Sequence, residues 1–173
     1  MTITPDTKDW TWVLRRPCPE CGLDTSSVTR ADIPAMIRVN AAAWQEPLAA
    51  PDAARRPLPG KWSPLEYGCH VRDVFQLYHD RLGLMLTEDD PLYPNWDQDE
   101  TAVASNYASQ HPAVVASELV AAADSLADRF AAVSGDQWLR PGRRSDGASF
   151  TVETLARYFI HDPIHHLHDV TGL

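Results

Sequence analysis

The sequence predicts an all-α fold, an up-down-type four-helix bundle with an extended N-terminal segment and a long loop between the second and third helices. Three observations carry this expectation. Apolar residues recur at helical spacing over four stretches, two of them longer than twenty residues. No stretch shows the clear apolar–polar alternation of a half-buried strand. The run Ser63-Pro64-Leu65-Glu66 is a sharp helix start, with Ser63 as N-cap, Pro64 at the first helical position and Glu66 closing a capping box.

The chain has 173 residues, 44% of them hydrophobic, enough for one domain with a full core. The expected organisation is a single domain over residues 1–173, with an irregular arm over 1–28 and the bundle over 29–173. The net charge is −9, which argues against nucleic acid as a partner, because a phosphate backbone repels such a surface unless a basic stripe is present. The basic residues instead fall in short clusters, Arg15-Arg16, Arg55-Arg56 and Arg143-Arg144. The polar, acidic N-terminus lacks the apolar centre of a signal peptide, and no apolar run approaches membrane-spanning length. Three cysteines fit a reducing cytoplasm. No membrane partner is expected.

In the arm, Trp10, Trp12, Val13 and Leu14 read as a short extended segment packed on the body. The first helix is expected from Thr29, where Thr29-Arg30-Ala31-Asp32 resembles a capping box, and ends before Pro47. Its apolar stripe is Ile33, Met36, Ile37, Val39, Ala43 and Trp44. A Pro- and Ala-rich connector follows to residue 61. The second helix runs from Ser63 to about Leu86, with Trp62 stapled on Tyr67. One face carries Tyr67, His70, Val74, Leu77 and Arg81. Taken alone, His70 reads as a core histidine with a local partner, and Asp73 one turn on is a candidate to orient its imidazole. Residues 87–111 form an acidic, aromatic loop long enough to be a functional pocket wall. The third helix covers about residues 112–133, and residues 136–149 read as a turn-rich connection.

The fourth helix holds four of the seven histidines between His161 and His168. Thr151 caps it, and Glu153 places negative charge in its first turn. His161, His165 and His168 share a face and His166 points elsewhere. Two imidazoles one turn apart can grip one metal ion. Pro163 between them removes a hydrogen bond to Phe159 and predicts a kink, which makes His166 and His168 alternatives to His165. The arm contains Cys18-Pro19-Glu20-Cys21-Gly22, for which three readings stay open. It is a structural turn carrying two thiols, a thiol redox pair favoured by Arg15 or Arg16, or a zinc half-site completed by histidine or a second chain.

The run Trp62-Ser63-Pro64-Leu65-Glu66-Tyr67 followed by His70, with a terminal helix bearing His161 and His165, resembles the DinB/YfiT-like superfamily of metal-binding four-helix bundles. The Cys18–Cys21 loop and Pro94-Asn95-Trp96-Asp97-Gln98-Asp99 resemble an actinobacterial branch of it. The resemblance covers nearly the whole chain. It implies that His70, His161 and His165 hold one divalent metal, zinc or nickel, and that the chain forms a homodimer. It further implies a metal-dependent enzyme acting on a small molecule. That enzyme is a thiol-dependent S-transferase or isomerase using mycothiol as co-substrate, or a hydrolase. The alternative is a non-catalytic metal-binding protein of the same fold. Candidate catalytic residues are Asp73, Asp97 and Asp162, and candidate substrate contacts are Tyr67, Asn95 and Trp96. Arg143 and Arg144 read as exposed, or as contacts to an anionic substrate.

Overall fold

The computed structural model describes Ile3 and residues 8–172. In chain order its elements are α1 (Ile33–Ala43), α2 (Gln45–Ala49), α3 (Pro64–Thr87), β1 (Leu92–Tyr93), α4 (Gln98–Ala104), α5 (Pro112–Ala131), β2 (Pro141–Arg144), β3 (Ser149–Thr151) and α6 (Val152–Thr171), with 3₁₀ turns between several of them. The fold is an all-α four-helix bundle built from α1, α3, α5 and α6. Both α5 and α6 pack against α1 and α3.

Local chemistry sets the helix ends. Ser63 Oγ accepts from Glu66 N at 3.2 Å, and Ser63 N donates to Glu66 Oε2 at 2.9 Å, completing the capping box of α3. Trp62 meets Tyr67 edge-on, with ring centroids 5.4 Å apart. Thr151 caps α6 by accepting from Thr154 N, and Gly172 ends it in the left-handed conformation at φ 73°. The helix continues through Pro163, whose carbonyl accepts from the buried Asn40 Nδ2 at 2.9 Å.

The core is aromatic and aliphatic. Phe75, Phe130 and Phe159 are buried where the helices meet, and the Phe159 centroid lies 6.0 Å from Phe75 and 6.1 Å from Phe130. Each such side chain stabilises the fold by about 1.5–3 kcal/mol through burial. Ile37, Trp44, Leu65, Leu82, Leu119, Leu126 and Leu155 complete this interior.

Several local expectations are corrected. Thr29 and Asp32 do pair, at 2.6 and 2.8 Å, but they close a turn, and the helix begins at Ile33. Helical structure resumes at Gln45 and includes Pro47, because a proline is tolerated in the first turn of a helix. The loop 87–111 contains β1 and α4. The 136–149 connection is not merely turns. β2 pairs antiparallel with β3, and β1 adds to β2 in parallel. Arg140 anchors this small sheet by donating to Met85 O at 2.6 Å and Glu88 O at 2.7 Å at the end of α3. Gly142 is required by close approach, since a Cβ there would sit 2.6 Å from Met85 Cγ.

β3 leads straight into α6, so the sheet aims the helix that carries the histidines. In the arm, Trp10–Leu14 winds into a 3₁₀ helix rather than an extended segment, with Asp9 accepting from Thr11 N. Thr25 Oγ1 donates to Val13 O at 2.6 Å within the arm, and Arg157 Nε donates to Val28 O at 3.1 Å, tying the arm to α6. Among the described residues, no helix is long and apolar enough to cross a membrane.

Candidate metal centre

Helix α6 carries two interleaved pairs of donors, each one turn apart: His161 with His165, and Asp162 with His166. Successive residues diverge by about 100° around a helix, so the pairs address different neighbours. His70, Asp162 and His166 form one group, with donor atoms all within 4.8 Å of one another. Cys18, Cys21, His161 and His165 form a second group within the same distance. The expected trio of His70, His161 and His165 is therefore not gathered at one point. The reason is rotational: α3 lies against the Asp162/His166 side of α6, and the arm lies against the His161/His165 side. His168 joins neither group.

In the first group, His70 Nε2 lies 3.2 Å from Asp162 Oδ1. The His166 ring stands edge-on to His70 with centroids 4.8 Å apart, and its Nε2 lies 3.9 Å from Asp162 Oδ1. Its other nitrogen, Nδ1, lies 3.1 Å from Asp169 Oδ2. A carboxylate on the far nitrogen fixes tautomer and ring orientation, as at metal-binding histidines generally. His70 is fully buried, and its Nδ1 has no hydrogen-bond partner. Burial would raise the Asp162 carboxyl, but His70 and His166 outweigh it and hold it at about 2, so it is ionised at neutral pH. Two imidazoles and a carboxylate are a donor set that fits a divalent transition metal and leaves coordination positions open.

In the second group, His165 Nδ1 lies 3.7 Å from Cys18 Sγ. His161 Nε2 is buried without a hydrogen-bond partner. Burial pulls the His161 pKa down to about 4, reinforced by His165, and burial likewise lowers His165. Both rings are thus neutral near pH 7. Burial pushes the Cys21 thiol up to about 11, and neighbouring Cys18 adds to the rise. That is opposite to the lowered thiol pKa of a thiol-exchange centre.

Both groups border one cleft of about 1030 Å³, lined by His161, Asp162, His165 and His166 from α6. The loop after α3 supplies Asn95, Trp96 and Asp97, and the start of α3 supplies Tyr67. Trp96 stacks on His70 at 5.3 Å, and Tyr67 lies 5.1 Å from the His166 ring. Asp97 caps α4 by accepting from Glu100 N. Asp73 does not orient His70: its carboxylate accepts from Arg72 Nε at 2.8 Å and from the Tyr107 hydroxyl. Arg143 is exposed and pairs with Asp90. Arg144 is not exposed: it lines the cleft, held by Asp146 at 2.8 Å and by Tyr158 at 3.1 Å.

Four cleft residues escaped the sequence reading. Trp10 lies 5.3 Å from the His161 ring and 5.0 Å from the His165 ring. Glu20 Oε2 lies 3.5 Å from His165 Nε2. Asp169 faces both His165 and His166. Arg81 is 4% exposed, with Nη2 on Pro94 O at 3.0 Å, its guanidinium over Tyr93, and its Nε without a hydrogen-bond partner. No carboxylate pairs with Arg81 among the described residues. The spacing Asp162, His166, Asp169 on one helix was a readable signal for the last acid. Arg81 shares its helix face with Tyr67 and His70, which was a readable signal too; Trp10 and Glu20 left none.

Comparison with known proteins bears on the fold and the family. YfiT from Bacillus subtilis, described as a probable metal-dependent hydrolase with an unusual four-helix bundle topology, matches the structure with a TM-score of 0.75. The two chains are 18% identical, and the match covers 84% of this chain and 87% of that one, a likeness that speaks for fold alone. Among curated proteins, none matches. Residues 36–170 match the sequence profile of the DinB superfamily. That span runs from α1 nearly to the end of α6, and the chain belongs to the DinB superfamily.

Proposed function

We propose that the chain is a divalent-metal-dependent hydrolase of small molecules, with His70, Asp162 and His166 as metal ligands. The observation that carries this reading is a group of three metal-donor residues, two of which, Asp162 and His166, line a cleft of about 1030 Å³. The description of YfiT as a probable metal-dependent hydrolase supports it. A divalent metal held by these residues, zinc or nickel as the family resemblance implies, would supply Lewis acidity that lets water lose a proton near neutral pH.

The chain's own residues do the rest. Asp169 orients His166. Trp96 covers His70 and excludes water from its buried face. Arg81 offers a desolvated positive charge with no carboxylate partner among the described residues, which suits a substrate bearing an anionic group. Tyr67 and Asn95 flank the opening.

One observation favours a second reading. The cleft is as large as the upper end of ordinary small-ligand sites, room for a substrate beside a low-molecular-weight thiol such as mycothiol. That arrangement is S-transfer or thiol-dependent isomerisation. The test is the metal-loaded chain assayed on a panel of carboxylic and phosphoric esters and amides, with and without added thiol. Thiol-independent turnover that disappears in His166→Ala supports hydrolysis. Turnover only with thiol supports the second reading. Metal binding without turnover on either arm makes the chain a non-catalytic metal-binding protein.

A further inference from the structure

We propose that Cys18, Cys21, His161 and His165 form a second, closed zinc centre that staples the N-terminal arm to α6. It is separate from the three-donor group and does not depend on the hydrolase reading.

The donor set is complete. Two sulfurs from one tight turn and two nitrogens from one helical turn lie within 4.8 Å of one another. Tetrahedral zinc with sulfur at about 2.3 Å and nitrogen at about 2.0 Å puts a sulfur and a nitrogen roughly 3.5 Å apart. The Cys18 Sγ to His165 Nδ1 separation is 3.7 Å, so this pair needs almost no movement to ligate. Four protein donors leave no open position, which is the structural pattern rather than the catalytic one. Soft thiolates with imidazoles select zinc over magnesium, calcium or manganese.

The surroundings are arranged for it. The loop is a closed knuckle: Gly22 N donates to Cys18 O and Cys18 N to Leu23 O, both at 2.9 Å. Gly22 sits at φ +75°, a conformation that glycine adopts without strain. His165 turns Nδ1 toward the sulfurs and Nε2 toward Glu20 Oε2 at 3.5 Å and Asp169 Oδ2 at 3.9 Å. The far nitrogen thus faces carboxylates that set its tautomer. His161 Nε2 is a buried polar atom with no protein partner, a state that ligation relieves.

The staple also has a structural purpose. Of the arm's described residues only Val13, Cys18, Thr25 and Val28 are buried, a small apolar anchor for so long a segment. Small packed units of this kind are often held by a metal. The arm contributes Trp10 and Glu20 to the cleft wall. Fixing Cys18 and Cys21 to α6 therefore fixes one side of the cleft next to Asp162 and His166. On ligation both thiols lose their protons and no electrons move, so the step needs no oxidant or reductant.

The test is cobalt(II) replacement in the purified full chain. Thiolate ligation gives a sulfur-to-cobalt charge-transfer absorption in the near ultraviolet that a site of nitrogen and oxygen donors cannot give. The expected result is this band in the native chain and in His70→Ala, and its loss in the Cys18→Ser/Cys21→Ser variant. His161→Ala should weaken metal retention at least tenfold. Should the double serine variant fail to fold, a thiol-blocking mercurial on the native zinc-loaded chain gives the same answer, releasing one zinc per chain. A cobalt-loaded native chain without the thiolate band, a band that survives the double substitution, or a mercurial that releases no zinc overturns the proposal.

Discussion

His165 and His166 are adjacent in sequence and serve opposite partners. His165 Nδ1 lies 3.7 Å from Cys18 Sγ, in the arm, while the His166 ring meets His70, on α3, at 4.8 Å between centroids. One helix thereby joins the arm to the bundle and supplies donors to two groups. Asp169 lies between them, 3.1 Å from His166 Nδ1 and 3.9 Å from His165 Nε2.

That shared acid gives the first prediction. Asp169→Asn keeps the shape and removes the charge that orients His166. Carboxylates behind metal-bound histidines typically matter 10–100-fold in affinity. We expect a loss of about that size at the His70/Asp162/His166 group, measured by competition with a chelator in a Cys18→Ser/Cys21→Ser background. An unchanged affinity would show that Asp169 has no part in holding the metal.

Arg81 gives the second. It is buried at the cleft with no carboxylate partner among the described residues. Hydrogen bonds to charged groups contribute about 1.5–3 kcal/mol, roughly ten- to a hundredfold in binding. Arg81→Gln should raise KM by that factor for anionic substrates and leave neutral analogues little changed. A uniform loss across both classes, or a matching fall in stability to urea, would assign Arg81 to packing instead.

The Arg56–Glu66 pair predicts a pH dependence of stability. Glu66 is buried, which by itself raises its carboxyl. Hydrogen bonds from Arg56 and from Ser63 outweigh that and place the folded value below the ordinary 4.5. As pH falls, the unfolded state takes up its proton first. The stabilisation is full above about 4.5 and is lost as pH drops through the lower folded value. Glu66→Gln should cost about 1–3 kcal/mol at pH 7, with a smaller difference from the native chain at pH 3. Urea unfolding of both chains at the two pH values measures this. A difference that stays constant with pH removes the pair from the account.

The sequence carried a good part of this architecture. The Ser63–Glu66 capping box and the Trp62–Tyr67 contact are local, so propensity and short-range geometry settle them. The crowding of histidines on α6 and the Cys-x-x-Cys half-site were equally visible, and completion of that half-site by histidines was one of three open readings. What stayed hidden was the partition of donors. Pairs at 161/165 and 162/166 satisfy the same helical spacing, and which pair faces α3 depends on a rotation of about 100° that only tertiary packing decides. The sheet of residues 92–93, 141–144 and 149–151 was hidden for a different reason. Its strands are too short to show alternation, and Pro141, Gly142, Arg143 and Arg144 resemble a turn more than a strand.

The most direct measurement is the metal content per chain of the native protein beside His70→Ala and Cys18→Ser/Cys21→Ser, each loaded with zinc and freed of excess. Two independent groups on α6 predict two metals in the native chain and one in each variant, with the two losses adding in the combined variant. A single metal in the native chain, lost equally on either substitution, would contradict the account and unite these residues in one centre.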